Sequence, residues 1–448
     1  MPLPTLNIGV AGLGRAFTLM LPTFLADPRI RLVAATDPRA EACAQFRQDF
    51  TRGGEPMDAG GGAGSDAGSR ARTYDSVEAL CDDPAVDVIY LATPHQLHAE
   101  HVQIAARHGK HVLVEKPIAI SLAECDAMIE ATRAANVHLV VGHSHSFDAP
   151  IRMTRAIIES GEAGAVRMIT AQMATDFMYR PRRPEELDTA RGGGVVFSQG
   201  AHQIDIVRLL GGGMVRTVRA ITGAWDATRG AGDKSADGRH ARPAEGAFAA
   251  LLTFENGMES GAFASLTYNG YGFYDSDEAC DWISEMGVPR NPDVYQSGRA
   301  RLLAASAAAA SADAQGAADE AGLKAARNYG GANYAPPGAV APHHQHFGPM
   351  LISCDHADLR PTPRGVMVYA ETGKAMRPAP RATVPRVEVI DELCAAVFEG
   401  TAPLHDGAWS KATLEVCLAL LESARSGREI TLQHQVPPRR NVQPAQNP

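Results

Sequence analysis

The chain has 448 residues, too many for a single hydrophobic core, so at least two domains are expected. Hydrophobic residues make up 45% and charged residues 21%, the composition of an ordinary globular protein. The formal net charge of −9 argues against a nucleic-acid partner, and no apolar run approaches the roughly 20 residues that cross a bilayer.

The seven cysteines are scattered along the chain and never occur in CxxC spacing. This pattern is typical of reduced thiols in an intracellular protein and not of a disulfide framework. The residues after Met1 lead directly into a predicted strand, without the basic and apolar regions of a signal peptide. We therefore expect a cytoplasmic location.

Short apolar runs alternate with amphipathic stretches over the first third of the chain. The apolar runs predict strands over Leu6–Ala11, Arg31–Thr36, Val86–Ala92, His111–Glu115 and Val137–Gly142. The stretches between them predict helices over Arg15–Ala26, Ala40–Phe50, His95–His108 and Leu122–Ala135. Strands separated by helices of this length indicate a parallel sheet, so residues 1–143 are predicted to form a Rossmann domain. A Gly-rich insertion at 52–70 is predicted to be a disordered loop.

The pattern changes after Phe147. A helix over Ile151–Ser160 is followed by predicted strands at Val166–Ala171, Val215–Ile221, Ala247–Phe254, Gly261–Tyr268, Met350–Cys354 and Gly365–Tyr369. Because these strands lack regular helical crossovers, residues 144–433 predict a second α/β domain with an open, mostly antiparallel sheet.

Irregular segments interrupt and end this second domain. A large insertion at about 271–348 includes an Ala-rich stretch, Leu302–Ala326, that favours a helix. Two further helices, Arg386–Glu399 and Ser410–Arg425, close the fold, and residues 434–448 are predicted to be a disordered tail.

A glycine-rich turn, AGLGRA, follows the first predicted strand. Gly12 and Gly14 permit a tight turn and close approach of a pyrophosphate, and the helix that opens with Arg15 and Ala16 offers free N–H groups to phosphate. The second strand ends at Asp37, where a ribose-binding carboxylate is expected ~20 residues further on. This favours NAD over NADP. Two alternatives are open at this point. One is that Asp37 only caps the next helix, and the other is that the nearby Arg39 holds the 2′-phosphate of NADP.

Three later segments are recognisable together: TPHQLHAEHV (93–102), HVLVEKP (111–117) and GGGVVFSQGAHQIDIVRLLGG (192–212). In combination and order they resemble the Gfo/Idh/MocA oxidoreductases. The resemblance implies a Rossmann domain followed by an α/β domain with an open sheet, and NAD as the cofactor. It also implies a homo-oligomer, a dimer or a tetramer, because the open sheets of this family commonly pair face to face.

The same resemblance assigns the site residues. Lys116 of the EKP motif and His202 are implied as the catalytic residues, both beside the nicotinamide and the substrate hydroxyl. Further cofactor contacts are implied for a set at the ends of the fourth and fifth strands: Thr93, Pro94, His98 and Glu115.

Oxidation of an alcohol requires a residue that can accept a proton, and Lys116 and His202 are both of this type. A hydride leaves carbon and a proton leaves oxygen, so a base has to reach that oxygen. His202 suits this role because its unperturbed pKa, ~6.5, is close to neutrality, and Lys116 suits it if burial lowers the pKa of its amine. The residues alone do not decide between the two.

Two positions near His202 bear on the substrate. Many sugar- and inositol-oxidising relatives carry an aspartate four residues before the histidine, where Ser198 stands here. This departure argues against an ordinary cyclitol or hexose as substrate. Ser198 and Asp205 are both expected to contact substrate. Asp205, three residues after His202, either orients the imidazole ring or simply caps or solvates the helix.

Arginines and histidines cluster around these motifs. The loop FMYRPRRPEELDTARGGG carries four arginines that could hold substrate carboxylates bidentately: Arg180, Arg182, Arg183 and Arg191. The alternative is that they pair on the surface with the acidic residues of the same loop. His143 and His145 alternate in HSHS and are expected near substrate. Such alternation can chelate zinc, but the family works without metal and no cysteine is in register, so no metal is predicted.

The last hundred residues resemble the branch of the family that oxidises carboxylated cis-dihydrodiols. This implies a small anionic diol as the partner, with phthalate 4,5-cis-dihydrodiol oxidised to 4,5-dihydroxyphthalate at the expense of NAD⁺. Three alternatives remain at this point: a sugar or cyclitol dehydrogenase, an NAD-dependent glycosidase, and a dinucleotide-binding regulator without turnover.

Overall fold

The structure, a computed structural model, describes residues 4–51, 53–54, 70–225, 244–255, 261–294, 298–302, 304–305, 320–336 and 340–439. All but three residues of the predicted Gly-rich insertion, much of the Ala-rich stretch and residues 440–448 lie outside these ranges. None of the helices in the described ranges combines the length and hydropathy needed to cross a bilayer.

The first sheet consists of six parallel strands: β1 Leu6–Ala11, β2 Ile30–Thr36, β3 Arg72–Tyr74, β4 Val88–Leu91, β5 His111–Val114 and β6 Leu139–Val141. Their spatial order is β3-β2-β1-β4-β5-β6, that of a Rossmann fold. The helices between them are α1 Arg15–Ala26, α2 Ala40–Asp49, α3 Val77–Cys81, α4 His98–Arg107 and α5 Leu122–Ala134. The central strands β1 and β4 are buried almost throughout, as expected for a parallel sheet covered on both faces.

The parallel sheet predicted from the sequence is confirmed. All five predicted strands and all four predicted helices of this domain are present, and the one complication is that a 3₁₀ turn, His95–Leu97, precedes α4. The prediction omitted β3 and α3. The strand β3 is only three residues long and half-buried, so it carries neither an apolar run nor an alternating pattern.

The second sheet has nine strands: β7 Val166–Ala174, β8 Val215–Gly223, β9 Ala247–Phe254, β10 Phe263–Asn269, β11 Met350–Cys354, β12 Ala357–Thr362, β13 Gly365–Ala370, β14 Gly373–Pro378 and β15 Ile430–Thr431. Their order is β14-β13-β12-β11-β7-β10-β9-β8-β15. Neighbours are antiparallel except β7 and β10, which run parallel. The predicted open, mostly antiparallel sheet is therefore confirmed, with β12, β14 and β15 added to it.

Five described helices follow β6: α6 Ala149–Glu159, α7 Ala201–Leu210, α8 Glu320–Ala325, α9 Val387–Glu399 and α10 Gly407–Ser426. α9 is late in the chain, yet its buried side chains, including Ile390 and Leu393, pack with Ile8 and Val10 of β1. Tyr329 of the insertion joins the same core. Residues after 144 therefore contribute to the core of the first domain. The sequence does not reveal this, because an amphipathic pattern shows that a helix has a buried face but not which domain covers it.

The end of the chain also differs from the prediction. Residues 434–439, expected to be disordered, lie against α10, where the amide of Gln435 donates to Glu415 Oε2 at 2.7 Å. Gln435 Oε1 in turn accepts from Nε of Arg208, a fully buried arginine, at 3.0 Å. The polar tail is ordered because it supplies an acceptor to a buried guanidinium, a partner that its own composition does not reveal.

Candidate active site

The glycine turn lies at the carboxyl end of β1, next to the end of β4. Gly12 has φ +93°, and a Cβ there would lie 2.7 Å from the carbonyl oxygen of Ala92, so only glycine fits. Gly14 has open space in front of it and precedes α1 without any side-chain cap. The first N–H groups of α1, at Arg15 and Ala16, therefore remain available. This point, where the strand order reverses, is where a dinucleotide phosphate fits.

Asp37 stands beside this turn at the end of β2. Its Oδ2 accepts from the N–H of Leu13 at 2.7 Å, and its Oδ1 accepts from Nε of Arg39 at 3.1 Å. The Arg39 guanidinium also donates to the carbonyl oxygens of Leu13, at 2.8 Å, and Tyr329, at 3.1 Å. Because the chain's own acceptors engage this guanidinium, the arrangement favours the 2′-hydroxyl of NAD over a 2′-phosphate.

The predicted contacts at the ends of β4 and β5 divide into two groups. Thr93 and Pro94 form the turn after β4. His98 is fully buried behind that turn, with its ring nitrogens 3.0 Å from the carbonyl oxygens of Thr93 and Pro117. Glu115 points into the core, where it accepts from the hydroxyl of Tyr90 at 2.6 Å, and burial raises its pKa. His98 and Glu115 therefore support the turns from behind.

Lys116 follows β5 and enters the crevice between the two sheets. Its Nζ donates to the carbonyl oxygen of Ser198 at 2.6 Å, and burial lowers the pKa of the amine to about 8. The hydroxyl of Ser198 bonds to the carbonyl of Gly194. The residue expected to bind substrate thus contributes its main-chain oxygen to hold the lysine.

His202 approaches from the second domain on α7, which is preceded by a π-helical turn over Val196–Gly200. Its Nδ1 is buried and has no hydrogen-bond partner among the described residues. The ring lies edge-on to His145, with centroids 4.8 Å apart, and 5.2 Å from the ring of Phe347. Burial and the charge of Lys116 hold the pKa of His202 well below its usual 6.5, so the imidazole is neutral at neutral pH.

Both histidines of HSHS lie in the site and share one carboxylate. His145 Nδ1 donates to Asp148 Oδ2 at 2.7 Å, and Nε2 of His143 lies 3.2 Å from Oδ1. Burial opposes the charge on His145, but the carboxylates of Asp148 and Glu285 outweigh it and raise its pKa to about 9. Burial lowers the pKa of His143 to about 3. Within the described part of the chain, no three His, Cys, Asp or Glu side chains are arranged to hold a metal ion.

Glu285 is a site residue that the sequence did not indicate. It comes from the large insertion, and its Oε1 lies 3.3 Å from Nε2 of His145. A second segment of the insertion pairs with it, since the N–H of His346 donates to the Glu285 carbonyl at 3.2 Å, and the His346 ring donates to the Ile283 carbonyl at 2.7 Å. The insertion therefore builds one wall of the site. No local pattern could have shown this, because the two segments are about sixty residues apart.

The four predicted arginines lie in different surroundings. Arg183 pairs with Glu185 at 3.1 Å, and Arg191 lies exposed on a short turn. Arg182 lies over the ring of Phe177, 3.6 Å from its centroid. The surface pairing that the sequence left open as an alternative describes Arg183 well.

Three arginines act on the site through their charges. Arg180 bonds weakly to Asp176, at 3.4 Å, and its charge lowers the pKa of Glu285. The charge of Arg182 contributes to lowering the pKa of Lys116. Arg386, which the sequence did not indicate, lies just before α9, and its charge contributes to lowering the pKa of His202.

Asp205 is behind the site instead of in it. Its carboxylate accepts from the indole of Trp409 at 2.7 Å, from the hydroxyl of Thr413 at 2.9 Å and from the hydroxyl of Ser146. These contacts fasten α7 to α10 and to the loop after β6. Neither of the roles expected from the sequence, a substrate contact or a partner for His202, matches this placement.

Comparisons with known proteins cover most of the chain. Residues 6–143 match the profile of an oxidoreductase family with an NAD-binding Rossmann fold, and residues 151–279 match the GFO/IDH/MocA C-terminal domain. The chain is 41% identical to the 1-carboxy-3-chloro-3,4-dihydroxycyclohexa-1,5-diene dehydrogenase of Comamonas testosteroni. The alignment spans 423 residues, which are 94% of this chain and 95% of that protein.

Two further relatives differ in how far the similarity extends. A solved structure from Bordetella bronchiseptica RB50 superimposes with a TM-score of 0.79 and 37% identity, over 96% of this chain and 100% of that one. The myo-inositol 2-dehydrogenase of Thermotoga maritima is 28% identical over 216 residues, which are 48% of this chain and 58% of that protein.

Proposed function

The chain belongs to the Gfo/Idh/MocA oxidoreductase family and is an NAD-dependent dehydrogenase, and we propose that its substrate is a cis-dihydrodiol that carries a carboxylate. The observation that carries the proposal is the positive charge around the Lys116–His202 pair, where the guanidinium of Arg182 acts on Lys116 and that of Arg386 acts on His202. Guanidinium groups match carboxylates in shape and charge. The name of the Comamonas testosteroni relative also describes a carboxylated dihydroxycyclohexadiene. We take phthalate 4,5-cis-dihydrodiol as the specific substrate.

The catalytic pair can act on the two hydroxyls of such a diol. When bound at the glycine turn, NAD would supply the acceptor for the hydride that leaves carbon, and the residues of the chain would bind and remove the proton. The Lys116 amine, with a pKa of about 8 and its Nζ held by Ser198, takes the proton from the hydroxyl that is oxidised. The neutral ring of His202, with its buried Nδ1 unpartnered in the described chain, accepts a hydrogen bond from the neighbouring hydroxyl. Together they hold the diol in one orientation.

Aromatisation of the product makes the overall oxidation practically irreversible. Loss of a hydride and a proton converts the diol to a hydroxyketone, with one NADH and one H⁺ formed. Transfer of the remaining ring C–H proton to the ketone oxygen gives the aromatic diol, 4,5-dihydroxyphthalate. Aromatic stabilisation makes the return reaction unfavourable, which suits a catabolic dehydrogenase.

The direct test is NADH formation by the purified protein with NAD⁺ and phthalate 4,5-cis-dihydrodiol. We expect rapid reduction with 4,5-dihydroxyphthalate as product. For the uncharged benzene cis-1,2-dihydrodiol, kcat/KM should be lower by about 10²-fold, since a hydrogen bond to a charged group contributes about 1.5–3 kcal/mol. The 3-chloro monocarboxylate named for the Comamonas testosteroni relative serves as a second carboxylated substrate.

Three results would overturn this proposal. One is the absence of NADH with both carboxylated diols. Another is faster turnover of myo-inositol or a hexose than of either diol, which would make the protein a sugar or cyclitol dehydrogenase. The third is cleavage of a glycoside without net NADH, which would make it a glycosidase.

We also propose that the protein is a homo-oligomer that pairs through the open face of its second sheet. Three apolar side chains on adjacent strands share that face: Ile221 is 69% exposed, Leu251 45% and Phe263 40%. Contiguous exposed apolar surface of this kind marks an interface. Light scattering on the eluting protein should give a multiple of 47.5 kDa, and Leu251→Glu should reduce it. A wild-type monomer at micromolar concentration would exclude this assembly.

A further inference from the structure

Arg386 is held in an unusual conformation directly before α9. Its φ of +50° places a non-glycine residue in the left-handed region, a strained conformation that persists only where neighbours hold it. Its Nε and Nη2 both donate to Oε1 of Gln345 at 3.2 Å, and Nη2 lies 3.7 Å from Sδ of Met286. Gln345 and Met286 belong to the two segments of the insertion that pair with each other. The insertion therefore aims this guanidinium.

The charge of Arg386 is not neutralised by a carboxylate. No Asp or Glu of the described chain forms an ion pair with it, in contrast to Arg29 and Arg183. Its Nη1 makes no hydrogen bond to any described residue. Arg386 is partly buried, and a guanidinium keeps its charge in such surroundings, so the unpaired donors of Nη1 are available to an anion.

The guanidinium of Arg386 lies close to the histidines of the site. Arg386, Gln345 and Met286 line one cavity together with Asp148, the carboxylate that holds His143 and His145. The ring of His145 in turn contacts His202. The carboxylates whose charges act on Arg386 already have partners, since Glu115 accepts from Tyr90 while Asp148 and Glu285 bond to histidines. Glu388, which also lines the cavity, forms no ion pair with Arg386.

We propose that Arg386, aimed by Gln345, binds a carboxylate of the substrate and that the insertion thereby sets specificity for carboxylated diols. This deepens the proposed function and rests on it. The pyrophosphate of NAD has its own donors at the start of α1, so the cofactor does not require Arg386. Nη1 can donate to one oxygen of the carboxylate, and Nη2 can exchange its weak bond to Sδ of Met286 for a bond to the other oxygen.

The test compares Arg386→Gln with wild type on phthalate 4,5-cis-dihydrodiol and on benzene cis-1,2-dihydrodiol. We expect kcat/KM for the carboxylated diol to fall by about 10- to 100-fold, since the lost bonds are charged. For the uncharged diol it should change by less than about 3-fold. Arg386→Lys, which keeps the charge but not the fork, should be intermediate. Arg133→Gln, at an exposed arginine of α5, removes the same charge and should match wild type.

The contrary outcomes are distinct. If Arg386→Gln lowers kcat/KM equally for both diols, or raises the Kd of NADH measured by fluorescence, Arg386 serves the fold or the cofactor and the proposal fails. If wild type oxidises neither diol, the proposed function fails, and binding of 4,5-dihydroxyphthalate to the NADH complex becomes the measurement. Calorimetry should then show about 10-fold weaker binding in Arg386→Gln and Arg386→Lys. Equal affinity, or no binding to wild type, would overturn the inference on its own.

Discussion

Replacing Lys116 with methionine is expected to lower kcat/KM by about 10³-fold, within the range that a positioned acid or base contributes. The amine is held by the Ser198 carbonyl at 2.6 Å, and methionine keeps the volume while removing the proton acceptor. The affinity for NADH should change little. Steady-state kinetics with the carboxylated diol, and NADH fluorescence for binding, measure the two effects separately.

The pH dependence identifies which residue takes the proton. A base works deprotonated, so if Lys116 is the base, kcat/KM rises with pH and levels off near its pKa of about 8. The positive charge of the nicotinamide in bound NAD⁺ would shift this rise in kcat/KM to a somewhat lower pH. If His202 were the base, the rate would already be level above pH 6.5, because its pKa lies well below that value.

A matched control is Lys374→Met, at an exposed lysine of β14, which should behave as wild type. A Lys116→Met variant that retained kcat/KM within 10-fold of wild type would remove the lysine from the mechanism. A level profile from pH 6.5 to 9 would transfer the role of base to His202.

Replacing Asp205 with alanine is expected to destabilise the protein by about 3–5 kcal/mol. The change leaves three buried donors without their acceptor: the indole N–H of Trp409 and the hydroxyls of Thr413 and Ser146. It also loosens α7, which carries His202, from α10. Urea unfolding followed by tryptophan fluorescence should give a lower midpoint than wild type.

The control for this effect is Asp126→Ala. Asp126 also bonds to α10, through Lys411 at 2.6 Å, but it is exposed, and exposed ion pairs contribute about 0–1 kcal/mol. A second measurement separates the structural role of Asp205 from a catalytic one. If Asp205→Ala unfolded like wild type but lost kcat, the aspartate would act on His202, and the structural assignment would be refuted.

Much of the fold follows from local patterns. The strand β1 and the helix α1 were predicted with their observed bounds because a buried strand and an amphipathic helix each leave a periodic pattern over neighbouring residues. The glycine turn could be predicted for the same reason, since the need for φ > 0 at Gly12 lies in one residue. Lys116 and His202 were found through motifs that combine such local requirements.

Other parts of the site depend on contacts between distant segments. Glu285 reaches His145 across 140 residues, and Arg386 is aimed by Gln345 from 41 residues away. Neither carries a local signature, because an isolated glutamate or arginine has the same pattern whether it is solvated or enclosed. The insertion that holds Glu285 and Gln345 was visible only as an irregular region.

The arginine loop and Asp205 are the converse case, in which residues predicted at the site from the sequence lie elsewhere in the structure. The sequence places Arg183 and Arg191 near the catalytic motif, but in the tertiary structure Arg183 pairs with Glu185 and Arg191 is exposed. Asp205 is one helical turn from His202, yet its carboxylate faces α10. The sequence alone predicts the two sheets and the cofactor turn, since these rest on periodicity and backbone conformation, and its resemblance to a known family implies the Lys116–His202 pair. Which charges surround that pair is decided only by packing, because a side chain's electrostatic role depends on what the fold brings against it.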